Sequence, residues 1–326
     1  MGAKIREKFA ATPQLFSVLT ILALLAVTFL SMCAYSESYK HMQNISKLIV
    51  QCIPLAVVSL GQTLVVISGG IDLSLGATIS LTTTIAARLM NTDSPAQIAL
   101  AVLAMFAAAA LVGLLNGVGV NLIRVPPLIT TLCMSTVLQG VALWIMPVPG
   151  GKVNREFATF VMQKWGVLSM PLILLALAYL IIHFVLYRTR TGVPLYAIGK
   201  NPRIAASMGV KIRSVSVRAY VIAALLAALT GLLLACRMRV GDPLVGTNYT
   251  MDSITAAAIG GTSLAGGVGL ISGSVLGSFL IGMLSNMMNI LGVDQFYQYV
   301  LKGSLLVLAM IVYSIPGMLG VKRVAK

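Results

Sequence analysis

Apolar runs of roughly twenty residues, separated by short polar gaps, recur along almost the whole chain. Such runs match the hydrocarbon thickness of a bilayer, and in lipid every backbone N–H and C=O must find its partner within the protein, so they read as membrane-spanning helices. The chain is 58% apolar, has 10% charged residues and a mean hydropathy of +0.97, which excludes a water-soluble domain. Helices are predicted near 14 to 34, 48 to 68, 72 to 90, 96 to 121, 127 to 147, 167 to 187, 217 to 238, 251 to 265, 269 to 291 and 296 to 315. The expected fold is all-α: a polytopic transmembrane helical bundle of about ten spans with broken or re-entrant helices, in one domain over 1–326. The eighth run is too short to cross alone and holds Gly260 and Gly261, so a re-entrant half helix is the alternative there, and eight spans is the alternative count.

The net charge of +15 sits in the polar gaps, where basic residues act as topology signals and not as a nucleic-acid surface. Lys4, Arg6 and Lys8 precede the first run and Lys322, Arg323 and Lys326 follow the last, which assigns both termini to the cytoplasm and requires an even number of spans. The longest basic gap carries Arg188, Arg190, Lys200, Arg203, Lys211, Arg213 and Arg218 with no acidic partner and is assigned to the same side. Lys152, Arg155 and Lys164 then fall outside with Glu156. Five spans in each half would relate them as an inverted repeat, with a faint echo in the pairs Gly69-Gly70 and Gly266-Gly267. Cys33, Cys52, Cys133 and Cys236 show neither CxxC spacing nor a histidine at metal spacing and read as packing residues. The run from Gln14 to Leu30 lacks a small-residue cleavage site, and Met32 before Cys33 does not fit a lipoprotein signal, so this run is expected to stay as the first span.

One apolar stretch, Leu48 to Leu89, is interrupted by Gly69-Gly70-Ile71-Asp72-Leu73-Ser74-Leu75-Gly76. A backbone break at membrane depth survives only where protein or a water-filled cavity satisfies the freed groups, and a carboxylate there costs about 2.5–3.5 kcal/mol on insertion scales. Two readings of Asp72 stand: a cap that accepts from the amides of the next helical turn, or a gate on a path through the protein. Gln62, Ser68, Gly69, Gly70, Asp72, Ser74 and Asn116 are the candidate pathway or gate residues. Thr63, Thr130, Thr131, Gln139, Asn286 and Asn289 also lie in apolar runs, where each alone serves as interhelical glue. Gly113 with Gly117, and Gly269 with Gly273 and Gly277, repeat at helical spacing and predict close helix contacts, while Met283, Met287 and Met288 predict packing.

The polar gap from Tyr187 to Val217 is too long for a simple turn. Asn201 suits an N-cap, Pro202 the first helical position and Gly209 a left-handed residue after the last turn, so a capped helix over Pro202 to Met208 is predicted. Ala205, Ala206 and Met208 make it too apolar to be purely solvated, so it docks, either on its own membrane domain or on a partner.

Three motifs carry a family resemblance: residues 69–76 above, Tyr196-Ala197-Ile198-Gly199-Lys200-Asn201-Pro202 with Gly209-Val210 after it, and Ala258-Ile259-Gly260-Gly261-Thr262-Ser263-Leu264-Ala265-Gly266-Gly267. In this order and spacing they resemble the membrane permeases of bacterial sugar ABC importers, such as the ribose, xylose, arabinose and galactose permeases, over nearly the whole chain. The resemblance implies a permease domain in the bacterial inner membrane whose segment 188–217 is a cytoplasmic coupling loop, with Gly199, Lys200, Asn201, Pro202, Arg203 and Gly209 in ATPase coupling. Lys200 departs from the small residue such a loop would carry. The implied partners are a second permease copy or a similar permease, a cytoplasmic ABC ATPase, a periplasmic sugar-binding protein and the lipid bilayer, with no nucleic acid. ATP and Mg belong to the ATPase chain, and no cofactor is expected on this one.

The residues agree with a non-catalytic role. No GxxxxGK[S/T] phosphate loop occurs, since Lys152 and Lys200 follow glycines but lack the rest of the pattern. His41 and His183 form no credible Ser/His/Asp set, so the chain is not expected to be an enzyme. The expected function is to pass a small sugar from the binding protein to the cytoplasm by alternating access. The alternative is an ion-coupled secondary transporter of a small polar solute, which usually needs several buried carboxylates. Asp72 is the one clear candidate for that, because Asp252 begins a span and Asp294 lies in a loop.

Overall fold

The computed structural model describes residues 13–35, 37–166 and 168–318, so the terminal basic clusters lie outside the described residues. The described chain runs α1 (Pro13–Tyr35), a 3-10 turn (Glu37–Lys40), α2 (Met42–Ile67), α3 (Leu75–Leu89), α4 (Pro95–Asn121), α5 (Pro127–Ile145), α6 (Arg155–Val161), α7 (Met170–Arg188), α8 (Gly192–Lys200), α9 (Pro202–Ser207), α10 (Ile212–Met238), α11 (Thr247–Ile259), α12 (Ile271–Ile290) and α13 (Gln295–Met318). Its strands are a two-residue hairpin, β1 (Lys164–Trp165) against β2 (Leu168–Ser169). Every predicted helix is present.

Among the described residues seven helices, α1, α2, α4, α5, α7, α10 and α12, are long and apolar enough to cross a membrane. Helices α3 and α11 have 15 and 13 residues, about 20 Å each at 1.5 Å per residue, short of a hydrocarbon core of about 30 Å. Several boundaries differ from expectation, among them the start of α2, at Met42 and not at 48. Helix α3 starts at Leu75 and not at 72, because the Asp72 carboxylate takes the amide of Ser74 ahead of the first turn. Helix α10 starts at Ile212 and not at 217, so the polar gap is shorter than predicted. Helix α11 stops at Ile259, before the two glycines, and begins at Thr247, which puts Asp252 inside it. The gap holds two helices, α8 and α9, where one was predicted.

Helix α2 is the centre of the bundle: every residue from Cys52 to Ile67 is buried. Lipid supplies no hydrophobic drive between helices, so they associate by close packing of small residues. A Cβ on Gly61 would lie 2.8 Å from Ala223 Cα, one on Gly113 2.6 Å from Val221 Cα, and one on Gly117 2.8 Å from Val217 Cα. The predicted Gly113/Gly117 face is thus the α4–α10 seam. Gly273 and Gly277 of α12 meet Gly260 and Ala256 in the same way, and Met283 and Met288 are buried core. Of the cysteines, Cys52 and Cys236 are buried, whereas Cys133 is exposed on α5 and does not pack as expected.

The segment 239–246 folds inward along α3. Gly241 sits against Ala87 and Thr83, Thr83 Oγ1 donates to Asp242 O at 2.9 Å, and the Gly246 amide donates to Ser80 Oγ at 3.0 Å, with Gly246 against Gly76. From Ala87 to Gly76 along a helix is about 16 Å, so the starts of α3 and α11 meet that far in from the end of α3, about half the thickness of a hydrocarbon core.

Helix α13 leans on α11 through one ion pair, Lys302 Nζ to Asp252 Oδ2 at 2.8 Å, with both side chains largely buried at 17% and 15% exposed. Removing one member of a buried pair leaves an unpaired charge and costs about 3–5 kcal/mol, whereas replacing both with apolar side chains is nearly neutral. Lys302→Met is therefore expected to lower the detergent melting temperature, and Asp252→Leu combined with Lys302→Met to restore it.

Candidate functional site

Two neighbouring features occupy the interruption between α2 and α3. The first is a polar knot. Asp72 is fully buried, and its Oδ1 accepts from the Ser74 amide at 2.8 Å and from Ser74 Oγ at 2.7 Å. Asn116 reaches in from α4, donating through Nδ2 to Ser74 Oγ at 2.7 Å and, at 3.5 Å, to both Asp72 carboxylate oxygens. Thr131 Oγ1 of α5 donates to the freed carbonyl of Ile71 at 3.2 Å. Protein groups from α4 and α5 thus satisfy this break, one of the two ways a break is tolerated at depth. The geometry serves a structural and a gating role alike, since Asp72 both fixes Ser74 just ahead of α3 and meets Asn116 of α4.

The second feature is a glycine junction that brings all three sequence motifs together. At the end of α2 the Ile67 carbonyl accepts from the Gly267 amide at 2.9 Å. Gly199, in the last turn of α8, lies against that bond: a Cβ there would collide with Ile67 O and Gly267 N and sit 3.0 Å from Gly267 Cα. Gly266 faces Gly69, whose Cα would be 2.8 Å from an added Cβ. Gly69, Gly266 and Gly267 have φ of 85°, 85° and 72°, a left-handed backbone that favours glycine at each. Three segments far apart in the chain, at Gly69, Gly199 and Gly266, therefore meet backbone to backbone, which no larger residue permits.

The remaining predicted residues are placed as follows. Ser68 Oγ donates to Val65 O at 2.7 Å and closes the end of α2. Gly70 packs beneath the Tyr220 hydroxyl. Gln62 is fully buried on α2 but makes no hydrogen bond to the Asp72 knot. In the basic loop, Asn201 Oδ1 accepts from the Arg203 and Ile204 amides at 3.0 and 3.2 Å, Pro202 opens α9, and Gly209 follows it at φ 80°. Gly199, expected within the docking element, faces inward to the junction instead, as its lack of a side chain allows. Lys200 and Arg203 are exposed, and so are Ile204 at 59% and Met208 at 77%. Sequence reasoning missed Tyr220 and the Asp252–Lys302 pair. The pair had a legible signal, two opposite charges within apolar runs; Tyr220 had none. Among the described residues no group of His, Cys, Asp and Glu could hold a metal.

The chain matches, over residues 44–310, the family described as the permease component of branched-chain amino acid transport systems. It is similar to the ribose import permease protein of Escherichia coli (strain K12), 32% identical over 303 residues that cover 91% of this chain and 92% of that protein. The ribose import permease protein of Bacillus subtilis (strain 168) is 34% identical over 279 residues, covering 85% and 86%. The xylose transport system permease protein of Escherichia coli (strain K12) is 27% identical over 351 aligned positions, covering 89% of each. No solved structure matches. The resemblance carried by the three motifs thus extends across the helices that enclose the polar knot and the glycine junction, and the chain belongs to this family of multi-pass transport-system permeases.

Proposed function

We propose that this chain is the permease subunit of an ATP-driven importer and passes a small neutral sugar from a periplasmic binding protein to the cytoplasm by alternating access. The observation that carries the reading is the glycine junction. A push on α8 and α9 has no compressible side chain to cross before it reaches Ile67, Gly69 and Gly267, so it moves both interrupted segments together. Segment 188–217 is the coupling loop, and Ile204 on α9 and Met208 just after it are apolar side chains left open for a cytoplasmic ABC ATPase to cover. Gly199, Lys200, Asn201, Pro202, Arg203 and Gly209 build that loop. Gln62, Ser68, Gly69, Gly70, Asp72, Ser74 and Asn116 line the gate.

A second permease copy, or a similar permease, completes the complex in the bacterial inner membrane, with both termini cytoplasmic and with ATP and Mg held by the ATPase chain. A neutral solute is supported by the fully buried polar side chains, which are hydroxyls and amides with Asp72 as the one charge among the described residues. A zwitterionic amino acid would meet no buried cation there. The names of the similar permeases support a pentose or hexose.

The test is uptake with the ATPase and binding protein present. Vanadate, or loss of the ATPase, is expected to reduce uptake to background, and a protonophore to leave it intact in ATP-loaded proteoliposomes. Uptake that survives vanadate and collapses with the protonophore would establish the ion-coupled alternative instead.

A further inference from the structure

Polar atoms without a partner gather around the interruption. Among the described residues eight buried side-chain atoms have no hydrogen-bond partner, and five of them are Ser59 Oγ, both amide atoms of Gln62, Asn116 Oδ1 and Tyr220 Oη. Ser59, Gln62 and Asn116 are fully buried and Tyr220 nearly so. Ser59 and Gln62 lie one turn apart on α2. Gln62 shares its face with Leu55, Val58 and Val65, which pack with Leu75 and Ile79 of α3, Tyr220 of α10 and Ala256 of α11. The Tyr220 hydroxyl lies over Gly70, and Asn116 holds Ser74. The set therefore draws on α2, α4 and α10 beside the adjoining starts of α3 and α11.

The other three orphaned atoms, Tyr39 Oη, Ser169 Oγ and Asn286 Oδ1, lie apart from this set, and other buried hydroxyls of the core are paired. Buried Thr63, Thr78, Thr82 and Thr230 each donate to the carbonyl four residues back in their own helix. Ser59 could do the same and does not. An unpaired buried amide or hydroxyl is destabilising relative to an apolar group of the same shape, so a core selected for packing alone would carry Leu or Ala at these positions.

We propose that Ser59, Gln62 and Tyr220, with Asn116 at the Asp72 end, form a binding site for the hydroxyls of the transported solute, closed in this conformation and opened when α3 and α11 part from α2. The inference rests on the importer reading above. The Gln62 amide presents a donor beside an acceptor, the pattern that two adjacent hydroxyls of a sugar complete, and Ser59 and Tyr220 each both donate and accept. None of the four is charged, which suits a neutral polyol.

The test uses the complete complex with ATPase and binding protein in proteoliposomes, with D-ribose, D-xylose and D-galactose as probes. Wild-type uptake comes first: failure to take up any of them in a vanadate-sensitive way sinks the importer reading and leaves the variants unneeded. Given that uptake, Gln62→Leu is expected to keep or raise the melting temperature, because it removes two orphaned atoms, while the uptake rate at saturating binding protein falls about tenfold, the equivalent of one lost hydrogen bond. Ser59→Ala, which deletes a single atom, is expected to fold as wild type and lose about threefold to tenfold. Wild-type uptake in both variants would overturn the site, and so would uptake lost only in step with folded protein.

Discussion

Gly199→Ala is expected to cut uptake by more than tenfold while the membrane helices remain inserted. The added methyl falls on Ile67 O and Gly267 N, two backbone atoms already joined by a 2.9 Å hydrogen bond, and 3.0 Å from Gly267 Cα. No rotamer change relieves such a contact, so α8 must move away from the ends of α2 and the 260–267 loop. Overpacking of this kind costs roughly 1–3 kcal/mol, and a cost in the upper half of that range shifts a two-state equilibrium by more than tenfold. Gly209→Ala is the contrast. Its φ of 80° strains a side chain, but nothing lies within 4 Å of the new Cβ, so about 1 kcal/mol of local strain at the end of α9 is the whole effect. Sugar transported per ATP hydrolysed, measured in proteoliposomes, separates the two. A normal ratio for Gly199→Ala would remove the junction from the coupling route.

The second large effect is expected from Asp72→Asn. Asp72 Oδ1 receives two short hydrogen bonds from Ser74, and the Asn116 amide approaches both carboxylate oxygens. Bonds to a charged acceptor are worth about 1.5–3 kcal/mol each, against about 1 for a neutral one. The asparagine keeps an oxygen for Ser74 but turns an N–H₂ toward the Asn116 N–H₂, donor against donor, so both contacts of Asn116 to residue 72 are lost and its bond to Ser74 Oγ is strained, although the turn at Ser74 survives. Uptake is expected to fall at least tenfold, with the yield of folded protein in size-exclusion profiles within about twofold of wild type. Equal loss of folded protein and of uptake would reduce Asp72 to a helix cap.

Particular residues show why part of this architecture is legible from sequence. Asn201, Pro202 and Gly209 punctuate α9 as predicted, because capping involves atoms only two or three residues apart. The start of α3 was misjudged by three residues because the competition between a helical amide and the Asp72 carboxylate for one hydrogen bond has no signature in hydropathy. The inward turn of Gly199 was missed for another reason. Its role depends on Ile67 and Gly267, 132 and 68 residues away, and on the rotation of α8 about its axis.

Read alone, the residues establish that this chain is helical and membrane-embedded, the approximate course of its long helices, that one apolar stretch is interrupted by a glycine pair and a carboxylate, and to which family the chain belongs. Those properties follow from composition, from runs of bilayer length and from local hydrogen-bond chemistry, all of which act between near neighbours. The packed bundle is what reveals that Asn116 closes on Asp72, that Lys302 pairs with Asp252, that Gln62 and Ser59 are left unpaired, and that the three motifs converge on one backbone junction. Such pairings are set by which small residues let two helices approach and by the angle at which they cross, and both are properties of the packed bundle as a whole.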